Sequence, residues 1–157
     1  MFIDSQNLFS DAQAVTTSAV GTNVISLGVA RDIGAGEPMA VVFCVDVAAD
    51  QTTGDEDYTF DVEYATNAAQ TTGRQLIGKR IFESGTPTAP AQDADLLVAG
   101  YRFVIPLPPV SASEDEIFLG VRYTTAGTSP TITVTAFLQP LNMIQNDRVY
   151  TKNYPIQ

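Results

Sequence analysis

Asp61 and Glu63 are the nearest this chain comes to a catalytic pair. On a β-strand, side chains two residues apart project from the same face, here about 6.6 Å apart by strand rise. Paired acids at that separation can cleave glycosidic bonds. That chemistry needs one carboxyl with a raised pKa, which requires burial. The face carrying Asp57, Thr59, Asp61 and Glu63 reads as open to solvent, so no enzymatic activity and no catalytic residue is expected. The chain also has no histidine, which removes the commonest general base and metal ligand.

Other chemistry-bearing residues also read as structural. Asp50, Asp55, Glu56 and Asp57 surround a glycine-containing turn, but their spacing does not fit a calcium loop closed by a glutamate at the twelfth position. A solvated hairpin end is expected there. The run Glu114-Asp115-Glu116 precedes a strand and reads as a gatekeeper against aggregation. The single cysteine, Cys44, lies between Phe43 and Val45 with no basic neighbour in sequence, so a small buried hydrophobe is expected rather than a reactive thiol. The glycines of Ile33-Gly34-Ala35-Gly36-Glu37-Pro38 lack the Lys-Ser/Thr that completes a phosphate loop. Arg74, Lys79 and Arg80 are close in sequence, but Lys79 and Arg80 fall on opposite faces of a strand. No metal and no cofactor is expected.

The elements that position these residues are short strands. Tyr58, Phe60, Val62 and Tyr64 alternate with Asp57, Thr59, Asp61 and Glu63, placing a core face against a wet one. Period-two patterns recur at 101–107, 117–124 and 130–139. Pro106 places the first of these at a sheet edge or ends it there. Met39–Val47 is apolar on both faces apart from Asp46, as for a strand covered on two sides or at a subunit contact. A mixed strand at 74–84 contains Gly78 as a bulge or bend. Shorter strands fit 14–20 and 24–27, around a Gly21-Thr22-Asn23 turn. Short helical turns are expected at 92–98 and 142–149.

About eight strands in 157 residues indicate a single all-β domain, an antiparallel β-sandwich of jelly-roll type. Residues 14–139 are read as the sandwich, 1–13 as an N-terminal arm and 140–157 as a C-terminal arm. The arms lack strand periodicity but carry Phe2, Leu8, Phe9, Tyr150, Tyr154 and Ile156 as candidate partner-contacting anchors. A net charge of -10 disfavours phosphate backbones and anionic lipid, so neither nucleic acid nor membrane is an expected partner. The start of the chain does not read as a secretory signal, which places synthesis in a cytoplasm.

The N-terminal third has a recognisable texture. Phe9-Ser10-Asp11-Ala12-Gln13-Ala14-Val15-Thr16 is followed by Thr22-Asn23-Val24-Ile25-Ser26-Leu27-Gly28, then by Ile33-Gly34-Ala35-Gly36-Glu37-Pro38. Over about residues 7–48 this resembles the capsid cement proteins of short-tailed bacteriophages, also called decoration or stapling proteins. The resemblance implies a non-enzymatic jelly roll on the outer surface of an icosahedral virion, often a homodimer, bound to the major capsid protein. A carbohydrate- or receptor-binding virion module is the competing reading. It would need an exposed aromatic platform, whereas the chain has no tryptophan and most of its tyrosines fall at inward-looking positions.

Overall fold

The computed structural model describes residues 5–28, 37–108 and 117–147, with side chains as far as 144. A 3₁₀ turn at Ser5–Asn7 leads into ten strands: β1 (Leu8–Val15), β2 (Ala19–Val20), β3 (Ile25–Ser26), β4 (Met39–Val47), β5 (Asp57–Ala65), β6 (Gln75–Glu83), β7 (Gln92–Asp93), β8 (Arg102–Pro106), β9 (Phe118–Ala126) and β10 (Ile132–Pro140). A second 3₁₀ turn, Ala94–Leu96, follows β7, and helix α1 (Leu141–Asp147) follows β10. No helix among the described residues is long and apolar enough to cross a membrane.

One sheet has the order β1-β10-β4-β8; the other has β2-β9-β5-β6-β7, with β3 also paired to β9. If β2 and β3 are taken as one interrupted strand, the antiparallel pairs nest from the outside inward: β1 with β10, β2/β3 with β9, β4 with β8, and β5 with β6. This is a long hairpin rolled into two sheets, the jelly-roll arrangement. β7 adds a short parallel pairing at the edge of β6.

The alternation read from sequence places the core. Tyr58, Phe60, Val62 and Tyr64 of β5 are buried against Val41, Phe43 and Val45 of β4 and Ile132, Val134 and Ala136 of β10, all within one cluster. Phe43 stacks on Phe103 at 4.9 Å and meets Phe60 edge-on at 5.5 Å, linking the two sheets. The Tyr123 phenol shares a 2.6 Å hydrogen bond with Ser10 Oγ across the sheets. This bond supplies the partner that a buried hydroxyl needs, and burial pushes the phenol's pKa far above its usual value. β4 is buried on both faces from Ala40 to Phe43. Val42 on its outer side lies in a cross-strand row with Leu8, Phe137 and Val104. From Ala40 to Phe43 the double apolarity of this strand is therefore satisfied within one chain.

Some expectations change and others are refined. The region assigned to the N-terminal arm contains β1: Leu8–Val15 is a strand, and Phe9 is fully buried in the core. Two register shifts, with Ala12 at φ 44°, break the period-two pattern that would have revealed it. On the C-terminal side, strand β10 runs through Pro140, and the expected helical turn is α1. The stretch 92–98 is a two-residue strand and a 3₁₀ turn, with Asp93 Oδ1 accepting from Asp95 N at 3.0 Å. The strand expected over 14–20 is instead the end of β1 at Val15, a bend over 16–18 and β2 at Ala19–Val20. As expected, β6 shifts register beside Gly78, and β8 is an edge strand ending at Pro106.

Phe43 touches Phe60, Phe103 and Tyr123, rings contributed by both sheets. Phe43→Ala is expected to cost about 3–5 kcal/mol, measured by chemical denaturation. Val47→Ala, at an exposed site on the same strand, should change stability by less than about 0.5 kcal/mol.

Candidate functional site

The short connections between the sheets define two poles. β1 starts, β10 ends, β4 starts and β8 ends at the same pole, as shown by the pairs Leu8–Phe137, Pro140–Met39 and Ala40–Pro106. Residues 66–74, joining β5 to β6, also lie there. We call this the arm pole, because the chain enters and leaves the sandwich there on neighbouring strands. At the opposite loop pole lie residues 48–56, 84–101 and 127–131, bound together in part by Asp50 N–H donating to Thr131 O at 2.8 Å and Ala49 N–H donating to Leu97 O at 2.9 Å.

Of the six candidate anchors, Phe2, Tyr150, Tyr154 and Ile156 lie outside the described residues. Leu8 is half-buried opposite Phe137, and Phe9 is in the core. Both sit in β1 of the chain's own sandwich, and Phe9, with no exposed surface, is corrected from a docking anchor to a core residue.

The outer face of β5 is also corrected. Asp61 and Glu63 share a face as their spacing requires, but both are buried. Segment 66–74 folds over this face and is tied internally: Asn67 Oδ1 accepts from Thr71 N at 3.0 Å and Thr72 N at 3.2 Å, and Thr66 N donates to Thr72 O at 3.2 Å. It sets the Gln70 side chain on Gly120, where any Cβ would stand 2.6 Å from Gln70 Cδ. Glu63, 1% exposed, accepts from Arg74 Nε at 2.9 Å and from Arg122 Nε and Nη2 at 3.0 and 2.8 Å. Arg122 Nη2 also donates to Gln70 O, fastening the segment to β9. Glu63 is thus fully engaged as an acceptor.

Asp61 sits between Lys79 and Arg122 in the strand register. Burial is the main cause raising its pKa; Glu63 adds to the rise, while Lys79, Arg74 and Arg122 oppose it. Its Oδ1 has no partner among the described residues, and neither does the Gln70 amide. As expected, Lys79 and Arg80 diverge, Lys79 pairing with Asp61 and Arg80 with Phe60.

The acidic turn at the loop pole binds its own backbone and hydroxyls. Asp50 Oδ1 accepts from Thr52 N at 3.1 Å, and Asp55 carboxylate oxygens accept from Thr53 Oγ1 at 2.6 Å and from Thr128 N and Oγ1 at 3.1 and 2.9 Å. Glu56 is buried rather than solvated, and accepts from Thr53 N at 3.0 Å and from the Thr53 hydroxyl. The Thr53 hydroxyl is the first cause holding both Asp55 and Glu56 below their usual pKa values. Among the described residues, no group of three or more metal-binding side chains converges. Cys44 is half-buried rather than fully buried, with Arg102 opposite it on β8. Burial raises its thiol pKa and outweighs the lowering by Arg102.

Sequence reasoning missed the cover over Asp61 and Glu63. Its only trace in sequence is the polar, turn-rich stretch 66–74, which is long for a hairpin connection.

Together these features define a jelly-roll sandwich whose buried Glu56 and Glu63 carboxylates are engaged within its own framework. The chain belongs to the Bbp16 family, whose sequence profile matches residues 9–138. The family name suggests a phage-related protein. No curated protein matches the chain.

Two outcomes test the ion cluster. Arg122→Met leaves Glu63 buried with only the half-exposed Arg74, and is expected to cost about 3–5 kcal/mol; Arg74→Met should cost under about 1 kcal/mol. Because the folded-state pKa of Asp61 lies above its unfolded value, its charge opposes folding above that folded pKa. The opposition disappears as pH falls toward the ordinary carboxylate value, about 3.9. Asp61→Asn should therefore raise the melting temperature at pH 7, by a margin that shrinks as the pH is lowered toward 4.

Proposed function

We propose that this chain is a capsid decoration protein, a cement protein that binds the outside of an icosahedral phage head and clamps neighbouring major capsid subunits against the pressure of packaged DNA. The observation that carries this reading is that β1 begins and β10 ends at one pole as paired neighbouring strands. Segments leaving a rigid body side by side can grip two neighbours at once. The second contact is then effectively intramolecular, so modest contacts combine strongly. The sandwich supplies the rigid body through its inter-sheet aromatic packing and its tied-down surface segment.

Family membership and the resemblance of residues 7–48 to cement proteins support this reading. The engagement of Glu63 by two arginines speaks against a catalytic acid pair. The described tyrosines, Tyr58, Tyr64, Tyr101 and Tyr123, are buried or half-buried. They offer no stacking platform for a sugar, which weighs against the carbohydrate- or receptor-binding alternative.

The test is co-sedimentation with empty shells of the major capsid protein. Replacing Phe2, Tyr154 and Ile156 together by Ser should leave the melting temperature unchanged and weaken shell binding at least tenfold, since buried aromatic anchors often contribute ~2 kcal/mol each. Failure of the wild-type protein to bind shells would sink the decoration reading. Unchanged binding by the triple variant would remove the arms from the contact.

A further inference from the structure

The second sheet ends in an open edge. β6 pairs along its length with β5, and on its other side only Phe82 and Glu83 have a strand partner, in β7. The far side of residues 75–81 has no backbone hydrogen-bond partner among the described residues. None of these residues is buried, and Leu76 stands 55% exposed. β8, the open edge of the first sheet, runs along the same side of the sandwich. Gly78 of β6 fits against Ile105 of β8, and the rings of Phe82 and Phe103 lie 5.1 Å apart.

This side also gathers the uncommitted positive charge of an acidic molecule. The cations among the described residues are Arg74, Lys79, Arg80, Arg102 and Arg122. Arg74 and Arg122 are spent on Glu63. Lys79 and Arg80 of β6 and Arg102 of β8 form no ion pair among the described residues. The acids nearby are committed elsewhere: Asp61, opposite Lys79, is buried, and Glu83 accepts from Thr88 N.

Two features select an occupant. Unpaired N–H and C=O groups along a strand take up an extended polypeptide as a further strand, whereas a small anion cannot fill them in register. Lys79 and Arg80 fall on opposite faces of the sheet, so an added strand meets both only if it carries acids at adjacent positions. A second copy fits poorly. Pairing β6 antiparallel with itself about its middle would set these two cations against the same two cations, and like charges across a ladder are destabilising.

We propose that the open edge of β6 accepts an extended acidic segment of another protein as an added strand, with adjacent acids opposite Lys79 and Arg80 and an apolar side chain against Leu76. The proposal goes beyond the decoration reading and does not rest on it.

The test titrates a capped synthetic peptide, Val-Thr-Val-Glu-Asp-Val-Thr-Val, into the isotope-labelled full-length protein and follows amide resonances and hydrogen exchange. Binding with a Kd below about 1 mM is expected, with shifted and more slowly exchanging amides on the side of β6 that faces away from β5. Methylating alternate backbone nitrogens of the peptide removes ladder donors and keeps its charge, and should abolish binding. Replacing Glu-Asp by Lys-Lys in the peptide should do the same. Arg80→Gln, its fold checked by an otherwise unshifted spectrum, should weaken binding about threefold, as for loss of one exposed charge pair. No binding at about 1 mM, equal binding by the methylated or the Lys-Lys peptide, or shifts confined to other strands would overturn the proposal. Slow exchange of the same amides in the protein without peptide would also overturn it, since the edge would then already be covered. No shell enters the experiment, so its outcome is separate from that of the decoration reading.

Discussion

Aromatic contact across the two sheets is the constraint on which the rest of the molecule depends. Phe43 and Phe103 lie flat on each other in one sheet, and Phe60, Phe82 and Tyr123 of the other present edges and faces to them at 4.9–6.4 Å. Edge-on and offset pairs are each worth about 0.5–1.5 kcal/mol beyond the area they bury. Their geometry also fixes the sheets relative to each other. β4 and β5 carry the central rings, so the nested strand pairing closes around them. Gly78 belongs to the same fit: a Cβ there would stand 2.3 Å from Ile105 Cγ2, so β6 can approach β8 only with glycine at that position.

Outside that core, the second sheet carries a polar layer of a different kind. A buried carboxylate is costly unless charges and hydrogen bonds surround it. Glu63 meets that requirement with two arginines, and one of them also grips the backbone of Gln70. The arrangement spends charge on fixing a surface segment in one place. Gln70, buried and held at φ 54°, is part of the same arrangement, with the side chain of a non-glycine residue pressed on Gly120. Unpartnered polar atoms beneath the segment make this seam less favourable than the aromatic core.

The two poles differ in ways that fit the proposed clamp. The arm pole gathers the entry and exit of the chain on neighbouring strands, while the loop pole is a hydrogen-bonded surface rich in acids. Its carboxylates at Asp50, Asp55 and Glu56 are occupied by threonine hydroxyls and backbone amides, which gives those turns a fixed shape. A protein that couples neighbouring subunits needs such stiffness between its contacts, because flexibility there would let the subunits separate without breaking either contact.

Much of this fold was legible from residue order. The alternation in β5 assigned Tyr58, Phe60, Val62 and Tyr64 to the core, and the doubly apolar run placed β4 over the residues it occupies, because side-chain period and burial are local consequences of strand geometry. The absence of histidine and the single cysteine are composition, and no structure changes them. The fate of the second face of β5 was not local. Whether Asp61 and Glu63 meet water depends on a segment that crosses back from residues 66–74 and on Arg122, 59 residues further along. Phe9 was hidden for a related reason: bulges in β1 erased its periodicity, and only pairing with β10, more than a hundred residues away, restores it as a strand. Contacts set by long-range register leave no trace in local sequence spacing, so the tertiary structure alone decided which charges were buried and which apolar ends belonged to the core.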